Sequence, residues 1–125
     1  VSDLFRFLAS TDCRIVLTTD HGSVRANNPV KVVGDKNTNT NLRYKLGKNL
    51  AYNAKEVFEI RDPRKAGLPA PNISTAYIFA QNQDFLAYPN NYNYYVQYYR
   101  DTFQHGGISM EEMLVPLIVM QGKKR

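Results

Sequence analysis

Apolar residues in this chain come in short, β-branched runs, each closed within a few residues by Gly, Pro, Asn or Asp. CRIVLT (13–18), PVKVVGD (29–35), EVFEI (56–60), STAYIFA (74–80), FLAYP (85–89) and the run over 114–120 have the length and residue types of strands. None approaches the roughly 18 apolar residues needed to span a bilayer, so no membrane insertion is expected. CRIVLT is apolar enough for a buried strand. STAYIFA and FLAYP flank QNQD and predict a hairpin.

Helical signals alternate with these runs. VSDLFRFLAS places apolar residues at 1, 4, 5 and 8. NTNTNLRYKLGKNL (37–50) offers Asn and Thr caps before Leu42, Leu46 and Leu50, which predicts a short basic helix. DPRKAG (62–67) reads as one helical turn, with Asp62 as N-cap, Pro63 at the first position and Gly67 as the stop. LPAPN then has to be loop, because its two prolines break both helices and ladders. Tyr92, Tyr95, Val96, Tyr99 and Phe103 fall at helical spacing and predict a core-facing stripe, with base stacking as the other use of such tyrosines. Ser109 and Glu112 form the S-x-x-E pattern of a capping box, so Glu111 and Glu112 read as helix-start acids rather than catalytic carboxylates. The closing KKR (123–125) reads as a frayed tail. The class is therefore α/β.

The 125 residues are 43% hydrophobic, which is ample for a core and excludes a disordered chain. A single cysteine, Cys13, excludes a disulfide framework and a cysteine-held zinc, and it suits a reducing, cytoplasmic compartment. It lies in an apolar run, the setting of a buried, inert thiol. The opening residues lack the basic start and long apolar stretch of a signal peptide. The net charge of +5 is concentrated between residues 25 and 48, where Arg25, Lys31, Lys36, Arg43, Lys45 and Lys48 face one acid, Asp35. Such an excess is either a solvated surface or the footprint of an anionic partner, a phosphate ester or nucleic acid.

The two histidines carry the chemistry. His21 stands in TTDHGS and His105 in FQHGGISMEE, each followed by glycine. The first follows the CRIVLT strand directly, at the strand end where open α/β sheets place ligand sites. A carboxylate and an imidazole are good zinc ligands, and Gly22 allows a sharp turn beside them. From the residues alone, Asp20, His21 and His105 are either metal ligands or ordinary loop residues. The 84-residue separation leaves a joint site to the fold.

TDHG after an apolar strand, followed by HGGISMEEMLVPLI, resembles the alkaline phosphatase superfamily. NPVKVVGDKNTNTNLRYKLGKNL, RDPRKAGLP, YPNNYNYYVQYYRDTFQHGG and SMEEMLVPLIVM are similar to the PglZ domain of PorX-type response regulators, over nearly the whole chain. The resemblance implies a two-zinc phosphoester hydrolase domain acting on a phosphate ester; the basic segment suits a nucleotide or oligonucleotide phosphodiester. The resemblance also implies an effector role in a two-component regulator of type IX secretion, with secretion-regulating partner proteins and a homodimer formed through the parent regulator. Asp20 and His21 would bind one metal and His105 the other, with Gly22, Gly106 and Gly107 turning the backbone close to the site. The six basic residues would form a cap-like segment that meets the substrate.

The family's nucleophile, a Thr or Ser, and its other ligands lie upstream of the DHG motif, where this sequence has 19 residues and no histidine. Residues 1–125 are therefore expected to be the C-terminal portion of one PglZ domain, a partial alkaline-phosphatase-like fold of strands and helices from a mixed sheet. No catalytic nucleophile is expected within them. The rival reading is a non-catalytic basic module that binds nucleic acid or a protein partner.

Overall fold

A computed structural model describes residues 1–123; Lys124 and Arg125, and with them most of the expected KKR tail, lie outside the described residues. The chain is mixed α/β. Helix α1 (Ser2–Ala9) leads into strand β1 (Arg14–Thr18), followed by β2 (Val24–Ala26), β3 (Asn28–Lys31), β4 (Tyr44–Gly47) and β5 (Val57–Ile60). A 3-10 turn (Pro63–Ala66) precedes β6 (Ala76–Ala80) and β7 (Asp84–Ala87). Helix α2 (Tyr92–Tyr99), β8 (Thr102–Gln104), α3 (Met110–Met113) and β9 (Leu117–Gln121) complete the described chain.

Among the described residues the strands form four small sheets. β1 pairs antiparallel with β9, β2 antiparallel with β8, and β3 parallel with β7, while β6 lies between β4 and β5. The period-2 alternation of strand side chains divides the core. Leu86 of β7 joins Val30, Val32, Val57, Ile78 and Ala80 in one cluster. Its neighbours Phe85 and Ala87 join Ala26 and Val96 in the other. On the opposite face of β6, Tyr77 and Phe79 stack beside Tyr44 of β4.

Several expectations hold. The turn at 62–67 forms with Gly67 left-handed at φ +70°. Asp62 makes no side-chain cap; it pairs with Lys65 at 3.2 Å instead. The capping box at Ser109 and Glu112 forms, and the strand after it starts at Leu117, past Pro116. EVFEI is β5.

Four expectations are corrected. Residues 37–50 are not a helix. Asn39 Oδ1 accepts the Leu46 N–H at 2.8 Å, and Asn41 Oδ1 accepts those of Arg43 and Tyr44 at 2.7 and 3.2 Å. These bonds compete with helical ones and release residues 44–47 to pair with β6. STAYIFA and FLAYP are strands but not a hairpin. The Arg43 carbonyl accepts Ala80 N–H of β6 and the Leu42 carbonyl accepts Leu86 N–H of β7, so the segment 42–43 lies between them. β7, with Phe85, Leu86 and Ala87 all buried, pairs in parallel with β3 instead.

CRIVLT is a strand but not a buried one. In its two-stranded pairing with β9, Val16 and Leu17 stay exposed, and Cys13 is half-buried. The tyrosine stripe packs in part: Val96 is buried, Tyr92 and Tyr99 lean on the core, and Tyr95 and Phe103 are exposed. Helix α2 ends at Tyr99 and Phe103 belongs to β8, opposite Arg25, so it leaves the stripe; the eight-residue surface helix itself buries one narrow face, which Tyr95 lies outside.

Candidate functional site

The antiparallel pairing of β2 with β8 assembles the site. Val24 stands opposite Gln104, so the loop entering β2, which holds His21, lies at the same end as the loop leaving β8, which holds His105. The two imidazole rings stack with centroids 3.7 Å apart and planes 10° from parallel. Residues 84 positions apart in sequence thus share one point in space.

Each ring is held by its own turn. His21 Nδ1 lies 2.7 Å from the Gly22 carbonyl. A carbonyl only accepts, so Nδ1 carries the proton and the neutral ring keeps its lone pair on Nε2. That nitrogen is 3.7 Å from Asp20 Oδ1, and Asp20 is largely exposed. The Gly22 N–H donates to the Glu112 carbonyl at 2.8 Å. A Cβ at position 22 would lie 1.9 Å from the Glu111 carbonyl oxygen, so a side chain there would push the DHG turn away from α3. After β8, Gly106 takes φ +102°, a conformation that favours glycine. The Gly107 N–H donates to Glu112 Oε1 at 2.9 Å, and Asn41 Nδ2 donates to the His105 carbonyl at 3.2 Å.

Glu112 therefore touches both histidine turns, one through its backbone and one through its carboxylate. The carboxylate is buried and forms a bidentate pair with the fully buried Arg43, Nε to Oε1 at 3.0 Å and Nη2 to Oε2 at 2.9 Å. Burial works to raise the pKa of this carboxyl. Hydrogen bonds from Arg43, Gly107 and Ser109 and the guanidinium charge outweigh it and hold the group below the usual range. Arg43 also donates to the Asp84 carbonyl at the start of β7, which ties the pair to the core.

The other basic residues are dispersed. Arg25 pairs with Asp101 at 3.5 Å, Lys31 lies 4.9 Å from the Tyr92 ring centre, and Lys48 is exposed. Lys36 and Lys45 line an open cavity of about 600 Å³ whose other walls include Thr38, Tyr88, Tyr95 and Tyr99. Lys45 is buried, donates to the Asn39 carbonyl at 3.2 Å and lies 4.2 Å from the Tyr88 ring centre. Burial pushes its ammonium down to about 8.

The structure thus brings Asp20, His21 and His105 together with their three glycines and, apart from Lys36 and Lys45 at one cavity, disperses the basic residues. Among the described residues, no group of three or more His, Cys, Asp or Glu side chains is arranged to hold a metal ion. By type, the donors at this point, two imidazoles and one carboxylate, fit zinc, and their exposure leaves room for further ligands. The sequence reading missed Asn41 as the support of His105, and Arg43 as the partner of Glu112. The Asn/Thr alternation at 37–41 was the available signal for the first; the second left no local trace.

A comparison with curated proteins finds no match. Among family models, that of the BREX-system PglZ alkaline phosphatase-like domain matches residues 1–120. With the match spanning nearly its full length, the chain belongs to the PglZ family of alkaline phosphatase-like domains.

Proposed function

We propose that this chain contributes one wall of the two-zinc site of a phosphoester hydrolase, with Asp20 and His21 serving one ion and His105 the other. The observation that carries the reading is the stacking of the two imidazoles at 3.7 Å. Zinc bound there would supply Lewis acidity and an activated oxygen nucleophile. The chain's own part is to present the free Nε2 of His21 beside Asp20, and to hold His105 against it on a glycine turn. In this reading the Ser or Thr nucleophile and the remaining ligands lie upstream of Val1.

The substrate is a phosphate ester of the nucleotide or oligonucleotide class. The cavity beside Lys36 and Lys45, lined by tyrosines but not by Asp20, His21 or His105, has the cations and aromatic faces such a ligand needs. Lys36 and Lys45 are the candidates for its phosphates; Arg25, Lys31 and Lys48 do not line that cavity. Arg43, engaged by Glu112, acts from behind the site. The segment from Arg25 to Lys48 serves as a wall or cap over it. A cytoplasmic effector domain of a PorX-type regulator, dimeric through its parent and acting with secretion-regulating partners, is the setting this assignment favours. Among the described residues no helix is long and apolar enough to cross a membrane.

The test is elemental analysis of the complete domain. About two equivalents of zinc are expected. His105→Ala and His21→Ala should each lower that content and abolish phosphodiester hydrolysis while the fold persists. Full zinc and normal turnover in both variants would sink the reading.

One observation favours a second reading, a nucleic-acid or protein-binding module without chemistry. Tyr94 and Tyr98 are exposed on α2 and stack on each other at 6.2 Å. Nucleic-acid binding that combines that face with the chain's lysines and arginines should weaken steeply with salt and ignore chelators.

A further inference from the structure

The geometry points to the buried Arg43–Glu112 pair as the positioning device that holds the His21 and His105 turns in register. Glu112 is the residue the two turns share. Its carbonyl takes the Gly22 N–H at 2.8 Å, and its carboxylate takes the Gly107 N–H at 2.9 Å. Ser109 Oγ donates to Oε2 at 2.8 Å, which fixes the rotamer from the capping-box side. Arg43 fixes it from the core side with two bonds. The neighbouring Asn41 carries the connection to the His105 carbonyl. A chain of hydrogen bonds therefore runs from β7 through Arg43 and Glu112 to both glycine turns, without touching either imidazole.

Both turns also close tightly on this stretch. A Cβ at Gly107 would lie 2.5 Å from Glu112 Oε2, and one at Gly22 would overlap the Glu111 carbonyl. The turns are shaped to the residues that hold them. An ordinary capping box needs neither a buried arginine nor contacts with two distant loops. Burying a charge pair is costly and stabilises little by itself, whereas fixing one arrangement among several is a use to which such pairs are put. Glu112 and Arg43 are positioning residues, acting through the backbone of the histidine turns.

The inference takes its functional meaning from the zinc reading above, but its test does not depend on that reading. Each ring current shifts the protons of the other imidazole while the rings stay stacked. The His21 and His105 ring-proton signals are assigned by NMR with His21→Gln and His105→Gln, and the mutual shift is what each single variant removes from the remaining histidine. The double variant Arg43→Met with Glu112→Leu removes the pair without leaving a buried charge. It should keep the far-UV circular dichroism of the fold and lose the mutual shift. Should the double variant fail to fold, Gly107→Ala, which crowds Oε2 while leaving Arg43 and Glu112 in place, should reduce the shift in the same way. A folded variant of either kind with an undiminished shift overturns the inference.

Zinc binding then separates the two ideas. Loss of the mutual shift together with a 10–100-fold weaker zinc affinity supports both. Loss of the shift in the variant, with no zinc bound by the complete wild-type domain, keeps the positioning role and overturns the metal reading.

Discussion

Lys45 and Arg43 are two residues apart, both cationic and both buried, yet they meet different surroundings. Arg43 has a carboxylate partner, and Lys45 has a carbonyl and a tyrosine face. Burial without a countercharge lowers the Lys45 pKa from 10.5 to about 8. Between these values the unfolded chain holds a proton that the folded chain has released, so stability contributed at this position rises with pH across that window. Below it both states are charged and the full burial penalty remains. In urea unfolding at a series of pH values, the wild type should gain stability relative to Lys45→Met from about pH 8 to 10.5; parallel curves would show that the ammonium is not desolvated. At this scale the sequence was informative where chemistry is local. Asp20, His21 and His105 stood out by residue type and by their glycine neighbours. The buried arginine and lysine did not, because a run of cations reads as surface unless its partners, here Glu112 and Tyr88, are known to lie beside it.

Strands and helices were recognised more reliably than their partners. β1, β5, β6, β7, α2 and the 62–67 turn all lie in stretches whose residue types predict them. The helix expected at 37–50 failed because Asn39 and Asn41 satisfy backbone N–H groups that a helix would have used. The hairpin failed because residues 42–43 take hydrogen bonds from both of its strands. Burial, equally, followed from pairing and not from hydrophobicity: Val119 of β9 is 61% exposed, while Ile78 of β6 is 0% exposed. Ile78→Ala should therefore cost about 2–5 kcal/mol in urea unfolding. Val119→Thr should stay within about 0.5 kcal/mol. Comparable losses at both positions would mean that the β1–β9 ribbon is covered in solution.

The molecule as a whole is unevenly consolidated. Two core clusters gather around β3, β5, β6, β7 and α2, whereas all eight residues of α1 are at least partly exposed and β1 with β9 forms a two-stranded ribbon. Amide hydrogen exchange should follow this division, with β6 and β7 protected longest and α1, β1 and β9 opening at much lower free energy. Uniform protection would show a single cooperative unit. The site lies where the antiparallel pair of β2 and β8 brings its two loops together, beside α3. The sequence alone determined the class, the positions of most strands and the identity of the candidate ligands, since these depend on residue type and short-range periodicity. The meeting of His21 with His105, the route of β7 to β3 and the capture of Arg43 by Glu112 were decided by the tertiary structure. Each depends on hydrogen bonds and burial between residues tens of positions apart, and no window of local sequence contains both partners.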